Sequence, residues 1–136
     1  MEPKLTLMSS RLIKVVGNRN MDFSGKISMN QNIKISEMEK FKPVDAKIES
    51  LKVVYSFEID YGDLGSVEIG GILFIGTDSK TLKKILEEYK NKKFDSTEHV
   101  NIMNFVIQKA SLKAFEIEEE LGLPIHIRLP QLSPKQ

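Results

Sequence analysis

Residues 51–75, LKVVYSFEIDYGDLGSVEIGGILFI, decide the fold that this sequence predicts. Apolar side chains alternate with polar ones as far as Tyr61, a Gly-Asp-Leu-Gly segment begins at Gly62, and the alternation resumes at Val67. A side-chain period of two is typical of a strand with one buried face. Two such runs joined by a short segment of glycine and aspartate predict an antiparallel hairpin.

Two further strands are predicted before the hairpin, at residues 5–16 and 32–36, where apolar and β-branched residues recur. Between them, residues 17–20 (GNRN) predict a turn, and residues 21–31 a loop or an irregular strand. Residues 37–43 are expected to form a connection that ends at a proline. Together with the hairpin, these segments predict an antiparallel sheet of four strands.

The chain after the hairpin has helical patterns only. The first helix is indicated by apolar residues at helical spacing, namely Leu82, Ile85, Leu86 and Tyr89. A second helix is predicted to begin near Asp95, which has capping-box spacing to Glu98, and to end at Gly122 before an extended tail at residues 123–130. The predicted fold class is therefore α+β: a four-stranded antiparallel sheet followed by two C-terminal helices packed on one face, in a single domain that spans residues 1–136.

The composition is that of an ordinary globular protein, with 40% hydrophobic and 29% charged residues. The formal net charge of +1 supplies no global field that would recruit nucleic acid. The absence of cysteine excludes disulfides, thiolate metal ligands and cysteine catalysis. No apolar run approaches the ~20 residues that span a bilayer, and the first residues lack the apolar core of a signal peptide. We therefore expect a cytoplasmic protein that does not insert into membranes.

The second helix carries apolar residues on two faces. One narrow face, expected to lie on the sheet, contains Met103, Val106, Ile107, Ala110, Ala114, Ile117 and Leu121. The opposite side, where a surface helix of a monomer should be polar, contains Ile102, Phe105, Leu112 and Phe115. These four residues are predicted to form the interface of a homo-oligomer, a dimer or a tetramer, or else an open apolar binding surface. The alternative is a helix that is buried inside this domain.

The predicted sheet also has apolar residues on its outer face. Val54, Ile72 and Phe74 interrupt the polar side of the alternation. Apolar side chains on a face that should meet water indicate a contact surface. We therefore expect Val54, Ile72 and Phe74 to bind a client polypeptide or a protein partner.

The remaining residues contain no strong catalytic motif. Residues 70–77 (GGILFIGT) have the glycines of a phosphate-binding loop, but a threonine follows the last glycine where that loop needs a lysine. A bulge or a close backbone approach is the expected reason for these glycines. His99 and His126 belong to no metal-binding pattern, so solvated or ordinarily hydrogen-bonded side chains are expected. We expect neither a cofactor nor a metal ion.

Clusters of charge favour solvated surfaces over functional sites. Glu58, Asp60 and Asp63 lie near the hairpin tip, and a period of two alone puts Glu58 and Asp60 on one face. The first helix has a basic side formed by Lys80, Lys83, Lys84, Lys90, Lys92 and Lys93. Nucleic-acid binding would require arginine and aromatic residues among them, and tryptophan is absent. Glutamates such as Glu118 end the second helix, where the dipole disfavours them, unless lysine or arginine of a neighbour pairs with them.

Two short segments carry a resemblance to a known family: residues 65–73 (GSVEIGGIL) and residues 122–130 (GLPIHIRLP). With the order of strands, short helix, long helix and proline-bounded tail over residues 5–132, they resemble the export chaperone SecB and its archaeal SecB-like relatives. The resemblance implies a four-stranded antiparallel sheet with two helices on one face.

The same resemblance implies a function. Members of that family assemble as dimers of dimers and hold unfolded polypeptides in long apolar grooves without using ATP. Some relatives serve toxin–antitoxin systems instead of export. We therefore expect a holdase chaperone, not an enzyme, that binds unfolded or extended client segments through apolar surfaces. Burial of apolar surface is non-directional, and methionine and phenylalanine adapt to varied clients.

Two other classes of function remain open. A non-catalytic adaptor or structural subunit would bind one specific protein partner through the same surfaces. A small-molecule enzyme would use Glu58, Asp60 or His126 as acid–base groups, although their spacing does not converge on one site. A hotdog thioesterase is disfavoured because its long helix would come early, inside the strand order.

Overall fold

The computed structural model describes residues 5–42 and 49–127. Its elements are β1 (Thr6–Arg19), β2 (Asn30–Phe41), β3 (Ser50–Asp60), a 3₁₀ turn (Gly62–Leu64), β4 (Gly65–Gly76), α1 (Ser79–Lys90) and α2 (Thr97–Leu121). The four strands form one antiparallel sheet in the order β1-β4-β3-β2. α2 contacts β4, β1 and β3, and α1 contacts β2. The predicted α+β fold, a four-stranded antiparallel sheet followed by two helices, is confirmed.

The hairpin predicted from residues 51–75 consists of β3 and β4. Leu51 pairs with Ile75 near one end, and Ile59 pairs with Val67 near the other. The inward-facing apolar residues of both strands are almost completely buried, whereas the residues between them are partly exposed. This alternation is what a sheet with one covered face requires, so the helices and the inner side of the hairpin share the core.

Two glycines let neighbouring elements approach closely. A Cβ at Gly71 would collide with the hydroxyl of Tyr55 and lie 2.8 Å from the carbonyl oxygen of Arg11. A Cβ at Gly17 would lie 2.6 Å from Cγ2 of Ile117 in α2. Gly71 confirms the close backbone approach that the sequence predicts, and Gly17 allows α2 to pack directly against β1.

Both edge strands are longer than the sequence predicts. The sequence predicts a turn at residues 17–20, but residues 17–19 continue β1 in register with β4, so the prediction is wrong for them. The sequence predicts a connection at residues 37–43, but residues 37–41 belong to β2, so this prediction is wrong for them as well. Pairing with a neighbouring strand outweighs the local preference for a turn in both places.

A β-bulge makes the end of β2 difficult to recognise from sequence. The register between β2 and β3 shifts between Ile35 and Glu37, which leaves Ser36 as an extra residue. The extra residue moves the alternation by one position. Met38, rather than Glu37, therefore turns into the core, where it is 7% exposed.

Side-chain caps determine where the helices begin. Asp78 caps α1 and accepts a backbone hydrogen bond of 2.8 Å. Ser96 caps α2 and accepts from the N–H of His99 at 3.3 Å, so the cap lies one residue after the predicted Asp95. Gly122, with φ of 67°, ends α2 as predicted. Neither helix in the described ranges combines the length and the apolar character needed to cross a membrane.

α2 is rotated relative to the orientation that the sequence predicts. Its buried stripe includes His99, Ile102, Val106, Ala110, Ala114 and Glu118. Ile102 is 0% exposed within the chain, so its predicted place in an oligomer interface is wrong, because no surface of its side chain is left for another subunit. Ile107, expected to lie on the sheet, is 41% exposed instead. Three polar residues of α2, Glu98, His99 and Glu118, are buried as well. A search for apolar residues alone therefore misplaces the inward face of the helix.

Candidate functional site

An apolar groove runs along the open edge of β2, beside the start of α2. It has a volume of about 400 Å³ and is lined by Ile33, Lys34, Ile35, Ser36, Met38, Phe94, His99 and Met103. β2 stands last in the sheet, and within residues 5–42 and 49–127 its only strand neighbour is β3. The groove therefore combines an apolar lining with an unpaired strand edge. Its volume lies in the range of sites that hold small molecules or a few side chains.

The two walls of the groove come from different elements. Ile33 and Ile35 form the strand wall because they turn toward the core, and Met38 does the same after the bulge. Met103, which is partly buried, belongs to the facing wall on α2. Methionine has a flexible, polarizable side chain that fills irregular spaces. The lining can thus accept apolar side chains of differing shape.

His99 is a polar group in the wall of this apolar groove. The residue is 2% exposed, and its Nε2 has no hydrogen-bond partner among the described residues. The ring of Phe94 meets the imidazole edge-on, with 5.6 Å between the ring centroids, and Phe94 itself is 49% exposed. The expectation of a solvated or ordinarily hydrogen-bonded side chain is therefore wrong for His99. The reason is the rotation of α2, which turns this residue inward.

A buried carboxylate beside His99 already has a partner. Nζ of Lys84 lies 3.0 Å from Oε1 of Glu98, whose side chain is 4% exposed. The hydrogen bond from Lys84 holds the pKa of Glu98 below its usual value, and the same bond raises the pKa of Lys84. The negative charge at the start of α2 is thus compensated within the chain. Lys84, which the sequence places on a solvated face of α1, therefore pairs with a buried carboxylate of α2.

The outer-face residues predicted to bind a client lie close together. Val54 pairs with Ile72 across β3 and β4. Phe74 packs on Phe41 with 5.0 Å between ring centroids, and the guanidinium of Arg11 lies 5.9 Å from the centroid of Phe74. All three predicted residues are half-buried. They form a small apolar patch, and none of them lines the groove beside β2.

A second cavity adjoins this patch at one end of the sheet. It has a volume of about 350 Å³ and is lined by Met8, Ser9, Arg11, Phe41, Ser50 and Phe74. Elsewhere the outer face carries cross-strand ion pairs, Lys14 with Glu68 at 3.1 Å and Lys52 with Glu39 at 3.3 Å. Apolar patches of this size, surrounded by charge, are common on protein surfaces. The patch is therefore a weaker candidate than the groove.

Other apolar side chains are exposed on α2 and on β1. Of the predicted interface residues on α2, Leu112 is 69% exposed, whereas Phe105 and Phe115 are half-buried. Phe105 also packs against the core. The edge strand β1 exposes further apolar side chains, namely Met8, Leu12, Ile13, Val15 and Val16. These surfaces lie on α2 and at the edge of the sheet opposite the groove.

Two of the three acidic residues near the hairpin tip, Glu58 and Asp60, border a polar cavity, and Asp63 does not. The cavity has a volume of about 450 Å³ and is lined by Glu58, Ile59, Asp60, Gly62, Gly65, Ser66, Val67 and Glu68. Asp60 accepts a hydrogen bond of 2.8 Å from the N–H of Gly62 and thereby supports the turn. The described residues include no group of three or more His, Asp or Glu side chains that could hold a metal ion. His126 is not in the lining, so the three acid–base candidates of the enzyme hypothesis do not share one site.

A buried polar network joins His126, Glu118 and Tyr61. The hydroxyl of Tyr61 donates to Oε2 of Glu118, and Nδ1 of His126 lies 2.6 Å from Oε1. Burial and the hydrogen bond to Glu118 raise the pKa of Tyr61. The imidazole also lies 5.8 Å from the ring of Phe57, between centroids. The network therefore fastens the segment after α2 to the sheet. Nδ1 of His126 is hydrogen-bonded as expected, whereas its Nε2, like that of His99, is buried without a partner among the described residues.

Solved structures share this arrangement of sheet and helices. One is the SecB-like chaperone Rv1957 of Mycobacterium tuberculosis, in complex with a ChAD peptide from the Rv1956 HigA1 antitoxin. The match covers 97% of this chain and 93% of that one, with a TM-score of 0.50 and 9% sequence identity. This chain has a SecB-like fold. A protein of unknown function from Streptococcus agalactiae matches over 96% of this chain and 100% of its own, with a TM-score of 0.52 and 10% identity. No family model and no curated protein matches the sequence.

The SecB-like fold agrees with the resemblance found in the sequence at the level of architecture. Identities of 9% and 10% show the shared fold alone, and fold by itself does not determine function. The chaperone neighbour is mycobacterial, so the comparison supports the SecB-like fold and not the archaeal branch of the resemblance.

Sequence patterns alone do not reveal the groove of this SecB-like fold. Met38 falls in a predicted connection, and His99 appears as an isolated polar residue at a helix start. Two signals could have found the groove. One is the apolar series Ile33, Ile35, Met38, in which a one-residue offset marks a bulge. The other is His99 itself, which continues the helical stripe that Ile102 belongs to.

Proposed function

We propose that this chain is an ATP-independent holdase chaperone resembling SecB, which binds unfolded or extended polypeptide segments and catalyses no reaction. The observation that carries the proposal is the apolar groove at the β2 edge of a SecB-like fold. The SecB-like chaperone Rv1957, whose fold is similar, was solved in complex with a peptide, which supports a polypeptide as the ligand. The proposal takes residues 1–136 as one domain that acts in the cytoplasm without a cofactor, nucleic acid or membrane insertion.

Physical considerations favour a groove of this kind for holding clients. Burial of apolar surface contributes ~25 cal/mol per Å² before the entropic losses of association, so one short segment binds weakly. Flexible lining residues such as Met38 and Met103 accept varied side chains. The outer-face patch of Val54, Ile72 and Phe74 is retained as a second, smaller contact for the same client. Weak contacts at several places on one long client add to its retention.

We further propose that the protein is a homo-oligomer, a dimer or a tetramer. Phe105, Leu112 and Phe115 on α2 are the proposed interface, together with the exposed apolar side chains of β1. A long edge strand with exposed apolar residues tends to pair with another chain. Symmetric assembly would bring several grooves together, so that one unfolded chain could occupy more than one of them.

The holdase proposal is tested by the aggregation of a chemically denatured client diluted into buffer without ATP. Near-stoichiometric protein is expected to suppress light scattering. Met103→Glu, which places a charge in the groove wall, is expected to reduce that suppression. Met21→Glu is the matched control, because Met21 is 91% exposed and lies outside the groove. Unchanged aggregation with the unmodified protein would exclude holdase activity.

A non-catalytic adaptor that binds one protein partner is the second candidate. An adaptor role is favoured by the complex of Rv1957, the chaperone of similar fold, in which the ligand is a peptide from a single antitoxin. An adaptor would give one stable complex in pull-downs from cell extract, whereas a holdase would give many weakly bound clients. Loss of that one complex in the Met103→Glu variant would assign the partner to the groove.

A further inference from the structure

The cavity of about 350 Å³ at the end of the outer sheet face is built by all four strands. Its lining consists of Met8, Ser9 and Arg11 from β1, Phe41 from β2, Ser50 from β3 and Phe74 from β4. None of these residues lines the groove beside β2. The cavity is therefore a separate place in the molecule, and its lining combines apolar, hydroxyl and cationic side chains.

Two phenylalanine rings and a methionine form the apolar part of the cavity. The rings of Phe41 and Phe74 are tilted by 51°, with 5.0 Å between their centroids. Phe41 is 37% exposed, so part of its ring surface is uncovered. Met8 is the extra residue at a register shift in β1, and an added Cβ at Gly76 would lie 2.9 Å from its Sδ. Gly76 therefore leaves room for this side chain, and a flat apolar group can pack against the rings.

Arg11 supplies a positive charge beside the aromatic rings. Its guanidinium lies 5.9 Å from the centroid of Phe74. Within residues 5–42 and 49–127, Arg11 forms no ion pair with a carboxylate. A guanidinium presents its N–H donors as a fork that matches the two oxygens of a carboxylate. The charge of Arg11 is thus available to an anionic ligand.

The carboxylates nearest to the cavity in sequence do not compete for that charge. Glu39 lies 3.3 Å from Nζ of Lys52, and Glu49 lies 2.8 Å from Nζ of Lys40. Each carboxylate therefore has a lysine partner of its own, and neither belongs to the lining.

A buried hydroxyl completes the polar part of the cavity. Ser50 is 4% exposed and donates its O–H to the carbonyl oxygen of Phe41 at 3.2 Å. A hydroxyl oxygen that donates one hydrogen bond can still accept another. Ser9 brings a second hydroxyl to the lining. A ligand with an N–H or O–H group near its carboxylate can therefore donate to this wall.

We propose that this cavity binds an aromatic carboxylate, with the ring against Phe41 and Phe74 and the carboxylate on the guanidinium of Arg11. Two sources supply this chemistry: a small aromatic acid, or the C-terminal residue of a polypeptide that ends in an aromatic side chain. The volume is at the small end of the range for ligand pockets, which suits one ring and its carboxylate. The inference goes beyond the proposed holdase function and does not depend on it.

Fluorine NMR of two acid–amide pairs tests the ligand class and distinguishes its sources. The small acid is represented by 3-(4-fluorophenyl)propanoate, and the chain end by the tetrapeptide Gly-Gly-Ser-4-fluorophenylalanine, each compared with its carboxamide. We expect an acid to bind at least about tenfold more tightly than its amide. Such a preference in one pair alone assigns the source, and in both pairs it shows that the cavity accepts either. Equal Kd values of acid and amide, or no binding of either acid at millimolar concentration, would overturn the proposal.

Variants of exposed arginines on β1 test the contact to the carboxylate. Arg11→Gln is expected to abolish the preference for the acid, and Arg11→Lys to retain part of it. Arg19→Gln is the matched control, because it removes the same charge from the same strand outside the cavity. Both positions are exposed, and circular dichroism of each variant checks that it folds. A preference that survives in folded Arg11→Gln, or that Arg19→Gln reduces equally, would overturn the role of Arg11.

One further variant separates this inference from the proposed function. Met103→Glu alters the groove and is expected to leave the Kd of both acids unchanged, because Met103 is not in the cavity lining. Binding of an acid that depends on Arg11 supports the inference even if the protein fails to hold a denatured client. Conversely, if Met103→Glu weakens the acids as strongly as Arg11→Gln does, the probes bind in the groove and the inference is overturned.

Discussion

Nδ1 of His126 lies 2.6 Å from Oε1 of Glu118, and both side chains are almost completely buried. The contact connects the segment after α2 to the last turn of that helix. Tyr61 donates to the other carboxylate oxygen, so each oxygen of Glu118 has a side-chain partner. A buried carboxylate is tolerated when hydrogen bonds satisfy it. The three residues therefore form one structural unit beneath α2.

The carboxylate of Glu118 should be important for stability. Glu118→Gln replaces one acceptor oxygen with a donor group that faces either Tyr61 or His126. The free energy of unfolding is expected to fall by about 1–3 kcal/mol, as for a buried polar group left unsatisfied. Urea unfolding measures the change. Glu119→Gln, at an exposed position on the same turn, should change stability by less than ~0.5 kcal/mol; an equal effect of both variants would contradict the account.

Stability should also depend on alkaline pH through the same unit. Burial and the bond to Glu118 raise the pKa of Tyr61, and burial raises that of Tyr55. A raised pKa in the folded state favours the protonated form there, so the stabilisation is present below the unfolded value and is lost as the pH rises. The free energy of unfolding should therefore decline above about pH 10. Tyr61→Phe should make this decline shallower in urea titrations, and an unchanged slope would argue against the network.

The proposed oligomer interface can be tested on α2. The double substitution Phe105→Glu with Leu112→Glu introduces two charges on the predicted apolar face and should shift the assembly toward monomer. The molar mass from light scattering measures the shift. Met21→Glu serves as the control, because this residue is 91% exposed and precedes β2. Since Phe105 also contacts the core, thermal unfolding must show that the double variant remains folded; an unchanged mass would refute the interface.

The glycine at position 71 should be needed for packing of the sheet. An added Cβ would collide with Tyr55 and lie 2.8 Å from the carbonyl oxygen of Arg11, whose backbone is paired with β4 in the sheet. Gly71→Ala is expected to lower the free energy of unfolding by about 1–3 kcal/mol. The neighbouring Gly70→Ala is the control, because its Cβ would lie 3.2 Å from the side-chain Cβ of Lys14 and meet weaker resistance. Chemical unfolding of the pair should rank Gly71→Ala as the less stable variant.

The sequence predicts those parts of the fold that local alternation determines. β3, β4 and both helices follow from regular periods and from glycine or cap residues within a few positions. The bulge at Ser36 interrupts that regularity, so the second half of β2 escapes a search for a period of two. The extension of β1 to Arg19 depends on pairing with β4, which is distant in sequence. Long-range pairing of this kind leaves little local signal.

The candidate site is less predictable than the fold, because it depends on how α2 is rotated. Three buried polar residues, Glu98, His99 and Glu118, move the inner face away from the position that apolar residues alone indicate. Glu118 can be buried because it accepts a hydrogen bond from Tyr61, which is 57 residues away in the sequence. The position of Val54, Ile72 and Phe74 on the outer face follows from their break in the alternation. The groove cannot be predicted in this way, because it forms only where β2 and α2 lie side by side.

An unfolded polypeptide that occupies the groove beside β2 should perturb the backbone amides of its lining. Backbone NMR of the labelled protein, titrated with a reduced and unfolded client, measures this perturbation residue by residue. We expect the amide signals that shift to cluster at Ile33, Ile35 and Met38 and at His99 and Met103 on the facing wall. Shifts confined to the outer face around Val54 and Ile72, or no shifts at all with excess client, would contradict it.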